Sequence, residues 1–328
     1  AALIDRPAAG KSLAIAAMVF APLFFSTNLI FGTMTVPHVA PFTLAFVRWV
    51  LVALVLAPLM LRDRVAVREV LGKEAKLVFL LGFLGMWVCG ALVYLALGMT
   101  TATNGTLIYT SSSVMIIVFE ALFFGRHMNW REGVGSLLAF VGIAVIVLKG
   151  QLAALLELEF NHGDLIFVAC AVAWAFYSIL YRSPRISALP NMTLFATIAA
   201  AGAAMLLPFA LIEWIQGAKM PVTAQSWQGI AGIVVFSSLL AFSTFQLGVR
   251  ALGPSIAGIF MYLMPPYGVL MAITVLGETL HAYHLVGIAL VMGGVVLATF
   301  PAALVRRWLG GEGDQPSRPS TGNVSSSQ

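Results

Sequence analysis

Ten runs of apolar residues, each close to the length that crosses a bilayer, leave this chain one broad way to fold. They read as 13–34, 42–61, 77–97, 104–124 and 132–148, then after a break 163–181, 192–214, 227–249, 255–276 and 284–304. A hydrocarbon core about 30 Å thick takes about 20 apolar residues per helix. Within it only helices and closed barrels satisfy every backbone N–H and C=O. The expected class is therefore an all-α polytopic membrane protein with ten transmembrane helices. Composition points the same way: 60% of the 328 residues are apolar and 9% charged, against about 25% charged in a soluble domain. That balance excludes a soluble enzyme, a secreted domain and a disordered scaffold. The net charge of +5 is assigned to topology and not to nucleic acid, because basic residues mark cytoplasmic loops. Cys89 and Cys170 both fall in apolar runs and read as small buried hydrophobes, not as a disulfide.

The Lys and Arg positions set an orientation. With the N-terminus inside, 15 of the 18 fall in cytoplasmic segments, among them Arg62, Arg64, Arg68, Lys73, Lys76, Arg182, Arg185 and Arg250. Lys149 and Lys219 fall on the other side, and Arg48 lies inside the second run. Both termini are expected in the cytoplasm. The first run is read as a span, since no cleavage site stands out. Residues from about 310 onward are rich in Gly, Ser and Pro and read as a disordered tail.

The two halves echo each other at a nearly constant offset. Thr43-Leu44 matches Thr193-Leu194, Pro58 matches Pro208 and Gly82 matches Gly232, each at 150; Tyr94 matches Phe245 at 151. Phe25-Ser26 matches Tyr177-Ser178, and Gly125, Gly135 and Gly142 match Gly277, Gly287 and Gly294, all at 152. Five runs per half is an odd number, so the second half is expected upside down relative to the first. Such inverted repeats build a site near the membrane midplane in many transporters.

The residues at this point resemble a family. Phe46-Val47-Arg48, Tyr94-x-Ala96-Leu97, Gly163-Asp164, Ala173-Trp174-Ala175-Phe176-Tyr177, Pro265-Pro266 and Leu276-Gly277-Glu278 are similar to the drug/metabolite transporter superfamily. The likeness is to its ten-span form with two EamA-type repeats, and within it to the YddG-type amino-acid exporters. Two positions depart from that pattern: Gly125-Arg126 stands where Gly-Glu is frequent, and Ser111-Ser112-Ser113 where a proline is common. The resemblance implies a cytoplasmic N-terminus over 1–12, a first EamA repeat over 13–148 and a loop over 149–162. A second repeat over 163–305 and a cytoplasmic tail over 306–328 follow. It also implies amino-acid export across the bacterial inner membrane, with no cofactor.

No enzyme constellation is visible, and no Gly-rich phosphate loop. His281-x-x-His284 has ligand spacing but no third ligand nearby, and a solvated loop explains it more simply. Ionisable residues inside spans are functional candidates by default. Glu120, Asp164, Glu213 and Glu278 all read near span ends. Arg48 is the exception, and two readings are open for it: an outward or helix-end fastening, including one to Glu278, or contact with a substrate carboxylate. Aromatic and polar stripes mark candidate cavity faces. Trp174, Tyr177, Ser178 and Tyr181 follow i, i+3, i+4 and i+7. Trp87 and Tyr94, Tyr109 and Ser113, Phe242, Phe245 and Gln246, and Tyr262 lie on comparable faces; Asn28 is an amide in apolar surroundings. The candidate binding set is Trp87, Tyr94, Tyr109, Trp174, Tyr177, Ser178, Phe245, Gln246 and Tyr262. Pro265 and Pro266, with Ser113 opposite, form the candidate hinge; the prolines leave the carbonyls of Met261 and Tyr262 without their usual donors. Gly135-x-x-x-Ala139 and Ala289-x-x-x-Gly293 are small-residue faces for scaffolding and homodimer contacts.

The reading that follows is a facilitated transporter of amino acids, aromatic and other neutral ones included, with the lipid bilayer as its other partner. Two alternatives stay open: an exporter of other small metabolites or drugs, including a proton-coupled one, and a non-transporting structural or signalling membrane protein. Single cysteines placed at positions 70 and 157 should label oppositely from outside intact cells; equal labelling overturns the topology.

Overall fold

The computed structural model describes residues 7–99, 108–109, 111–151, 161–276 and 280–299. Among these the chain is helix and connecting turn, with no strand. The helices are α1 (Pro7–Thr35), α2 (Pro41–Arg62), α3 (Arg64–Leu97), α4 (Ser112–Phe124) and α5 (Trp130–Val147). They continue as α6 (His162–Leu180), α7 (Asn191–Ile215), α8 (Ala224–Leu252), α9 (254–276) and α10 (Ala282–Thr299). Seven segments, in α1–α3 and α6–α9, are long and apolar enough to cross a membrane. The runs expected at 104–124, 132–148 and 284–304 are represented by shorter helices. Parts of the first and last of these lie outside the described residues, as do Thr106, Glu278 and the tail from 300 onward.

Packing ties the two halves together at both ends of one helix pair. Helix α2 begins at Pro41 with Ala40 as its N-cap, which offers no side-chain acceptor. Glu213, near the end of α7, supplies it instead. Its carboxylate accepts from the Phe42 N–H at 3.1 Å, the Thr43 N–H at 2.7 Å and the Thr43 hydroxyl at 2.8 Å. A carboxylate on a helix N-terminus is worth about 1 kcal/mol. At the opposite end, Thr193 in the first turn of α7 donates to Asp63, just past α2, at 2.6 Å. Hydrogen bonds from Arg62 and Thr193 hold the Asp63 carboxyl below the usual carboxylate range. Helices α2 and α7 therefore run antiparallel, and a shift of 150 residues exchanges the two links, Thr43 with Thr193 and Asp63 with Glu213.

The same exchange recurs elsewhere. Helices α3 and α8 each contain a π-helical stretch, Phe83–Leu92 and Ile233–Leu240, whose starts are 150 residues apart. Helices α5 and α10 approach backbone to backbone. A Cβ on Gly135 would lie 2.5 Å from the Gly294 carbonyl oxygen, and one on Gly142 would lie 2.7 Å from that of Gly287. Only glycine permits that separation. The Gly135 expectation holds, but α10 uses Gly287, Val291, Gly294 and Ala298. Ala289 and Gly293, the pair expected to pack, are exposed. The face of α10 is thus turned by about one residue position from the one the spacing suggests.

The basic loops meet at one end of the bundle. Arg250 donates to the Leu189 carbonyl at 2.9 Å, and Arg185 lies 4.0 Å from Glu74. Gly142→Leu should destabilise the protein by about 3 kcal/mol, the upper range for overpacking. Ala289→Leu, on an exposed position, should change little. Thermal unfolding in detergent separates the two; equal stability would show that α5 and α10 do not rest on their glycines.

Candidate functional site

Inward-facing residues of α6 build the centre. Trp174 stacks on Tyr177 with centroids 5.4 Å apart and on Phe245 of α8 at 5.0 Å. Phe25 of α1 and Phe242 of α8 meet it edge-on, each at 5.6 Å, and Tyr109 lies at 6.4 Å. Each such pair adds about 1 kcal/mol beyond area burial. Trp174, Tyr177, Phe242 and Phe245 are buried, so the cage is packed shut on itself. A polar string leads away from it. Gln246 Nε2 donates to the Tyr177 hydroxyl at 2.6 Å, and the Tyr181 hydroxyl reaches Gln246 Oε1 at 3.1 Å and Asn191 Oδ1 at 2.8 Å.

Arg48 occupies the other side of the cage. It belongs to the inward stripe of α2, with Thr43, Leu44, Ala45, Trp49 and Val52, so its side chain points to the bundle centre. Only 4% of it is exposed, which rules out the outward snorkel. Its Nε donates to Ser238 Oγ at 2.6 Å, Nη1 to the Tyr94 hydroxyl at 2.9 Å and Nη2 to the Ser237 carbonyl at 2.9 Å. Tyr94 in turn donates to Asn28 Oδ1 of α1 at 3.1 Å. The carbonyl that Arg48 uses lies in the π-helical stretch of α8 and not at a helix end. There the wide turn also lets Ser238 Oγ bond the Ile233 carbonyl five residues back, at 2.9 Å. Arg48 also lies 4.6 Å from the centroid of the Trp49 ring. Among the described residues it forms no ion pair, and Glu278 lies outside them.

The expected set thus divides. Tyr109, Trp174, Tyr177, Phe245 and Gln246 come together, with Tyr94 on Arg48. Ser178 is beside them but donates to the Trp174 carbonyl of its own helix at 2.7 Å. Trp87 joins a different ring group, with Phe42 at 5.7 Å, Phe83 at 5.3 Å and Phe209 at 5.1 Å. Tyr262 is fully buried, makes no ring contact with Trp174 among the described residues, and its hydroxyl has no hydrogen-bond partner there. The hinge also differs from expectation. Residues Met261–Leu263 form a 3-10 turn in which the Met264 N–H serves the Met261 carbonyl, so that carbonyl is not left free ahead of Pro265 and Pro266. Ser26 instead takes the Met264 carbonyl at 3.0 Å. Ser113 is buried where α4 meets Gly258 of α9, and Ser111 is the hydroxyl that bonds back, to Ile108 at 2.6 Å.

The carboxylates near the span ends are engaged. Glu120 accepts from the Ser255 N–H at 3.2 Å and from its hydroxyl, holding the start of α9, with Arg126 at 3.8 Å. Arg126 also pairs with Glu132 at 2.7 Å. Asp164 closes a capping box with Asn161 at the start of α6. His284 accepts from the His281 N–H at 3.2 Å, a local turn. The expected set omits Phe25, Trp49, Phe195 and Phe242. Phe242 stands on the candidate face of α8 with Phe245, three residues on, but is left out of the binding set.

The model of the EamA-like transporter family matches residues 12–148 and 161–300. The uncharacterized transporter YyaM of Bacillus subtilis is 25% identical over 265 residues, 81% of this chain and 86% of that protein. A probable terminal-alkyne amino-acid exporter of Streptantibioticus cattleyicolor is 27% identical over 70% of this chain and 75% of its own. The aromatic amino acid exporter YddG of Ancylobacter novellus is 25% identical over 58% of this chain and 64% of its own. A solved crystal structure, 22% identical, shares the fold with a TM-score of 0.71 over 90% of this chain and 98% of that one.

Gln246→Leu should leave the Tyr177 hydroxyl without its donor and cost about 1–3 kcal/mol, while Tyr181 keeps Asn191. Adding Tyr177→Phe should recover part of that loss. A double-mutant cycle on thermal stability measures the coupling, and strict additivity would mean that the bond contributes nothing.

Proposed function

The chain belongs to the EamA-like transporter family, and on that premise we propose that it moves amino acids, aromatic and other neutral ones, across the bacterial inner membrane. The observation that carries this reading is the juxtaposition of Arg48 with the aromatic cage. A buried guanidinium is costly in an apolar interior unless it is compensated. Uncharged partners hold this one, and a substrate carboxylate would supply the missing charge with bidentate geometry. The rings then take an apolar or aromatic side chain, and an ammonium group can sit against their faces. The two relatives that are amino-acid exporters support the same substrate class.

The route is alternating access. The reciprocal contacts of α2 with α7 and of α5 with α10 support an inverted repeat, in which each end of the bundle has an equivalent at the other. Opening at one end parts Thr43 from Glu213; opening at the other parts Thr193 from Asp63. The distribution of Lys and Arg supports cytoplasmic termini. Glu120 and Glu213 are committed to helix ends, which supports flux driven by the substrate's own gradient. A coupling ion shifts the cycle only if the two states bind it differently.

Purified protein in liposomes should take up tryptophan, tyrosine and leucine down their gradients, unaffected by imposed pH or sodium gradients. Arg48→Gln should abolish tyrosine flux while affecting its decarboxylated amine, tyramine, far less. Equal loss for both would remove Arg48 from the carboxylate role. Transport of amines or nucleobases alone would overturn the amino-acid assignment, and uphill accumulation driven by either ion gradient would overturn the facilitated one.

A further inference from the structure

Phe242 is the hub of the central rings. Its centroid lies 5.1 Å from that of Trp49, 5.3 Å from Phe25, 5.6 Å from both Trp174 and Phe195, and 6.2 Å from Tyr177. It is also 6.0 Å from the guanidinium carbon of Arg48. Its position is fixed by the same helix that fixes Arg48. The π-helical stretch Ile233–Leu240, which offers Ser237 O and Ser238 Oγ to the guanidinium, ends two residues before it.

That distance has a steric consequence. In a bidentate pair the carboxylate carbon stands about 4 Å from the guanidinium carbon, and the α-carbon follows about 1.5 Å beyond. The side chain of a bound amino acid therefore begins at the radius where the Phe242 ring stands. A side chain that enters the cage from Arg48 therefore meets the Phe242 ring. We infer that Phe242 is a specificity-determining residue, whose ring holds the side-chain subsite closed in the empty protein and whose displacement sets the size of side chain admitted. The inference rests on the amino-acid reading above and assigns a part of the site which that reading leaves open.

The test compares wild type, Phe242→Ala and Phe242→Leu in liposomes, as initial uptake rates of tryptophan, leucine and alanine. Monodispersity in detergent checks folding. Phe242→Ala should raise the tryptophan-to-alanine ratio by about tenfold, the scale of a small volume change in an apolar pocket; Phe242→Leu should shift it in the same direction by less. A uniform loss of rate at constant ratio is what a packing role alone predicts, and it would overturn the assignment. Should Phe242→Ala not fold, the ratio in Phe242→Leu decides. If the wild type moves no amino acid, the amino-acid reading falls and takes this one with it. A flat ratio in an active amino-acid carrier removes Phe242 only.

Discussion

A guanidinium held in the apolar interior by uncharged partners is the constraint around which the other features are arranged. Arg48 draws on helices from both halves: its own α2, Tyr94 on α3, the π-helical turn of α8 and, through Tyr94, Asn28 on α1. Three hydrogen bonds and the Trp49 ring offset part of the desolvation. Among the described residues none of its partners carries the opposite charge. Both π-helical stretches lie near this group. The π-helical stretch of α8 widens where it meets the guanidinium, and that of α3 passes one turn before Tyr94.

Much of this was legible in the residues, and the failures have a common cause. The i, i+3, i+4, i+7 face of α6 identified Trp174 and Tyr177, because polar hydroxyls in an apolar helix must point inward. Trp87 could not be separated from Trp174 by the same reasoning. A membrane helix is apolar on every side, so periodicity does not say which aromatic meets lipid. The partners of Glu120 and Glu213 were unreadable for a different reason: Ser255 and Thr43 are 135 and 170 residues away, and only tertiary packing brings them close. Ser178 was placed on the correct face, yet its hydroxyl bonds back to the preceding turn, a rotamer choice that spacing does not encode. The Met261 carbonyl was expected to be free because the proline rule assumes an α-helix; a tighter turn ahead of the prolines satisfies it.

Correspondence between the halves is strong at the ends and breaks at Arg48. Asp63 corresponds to Glu213, and Gly135 and Gly142 correspond to Gly287 and Gly294. The counterpart of Arg48 at the same offset is Ile198, which is fully buried. The end contacts that correspond, Thr43 with Glu213 and Thr193 with Asp63, tie the same helix pair at both of its ends. At the centre the rings still correspond, Phe25 with Tyr177 and Tyr94 with Phe245, while the charge of Arg48 stands in one half alone at that offset.

The shut aromatic cage also bears on what the protein must not do. Two hydrogen-bonded strings of hydroxyls and amides enter this bundle. One runs from Asn191 through Tyr181 and Gln246 to Tyr177; the other joins Asn28, Tyr94 and Arg48. Between them stand the faces of Trp174 and Phe242, and the nearby Ser178 hydroxyl is turned back to its own helix. The packed rings thus keep the two strings from joining into one polar path through the closed protein.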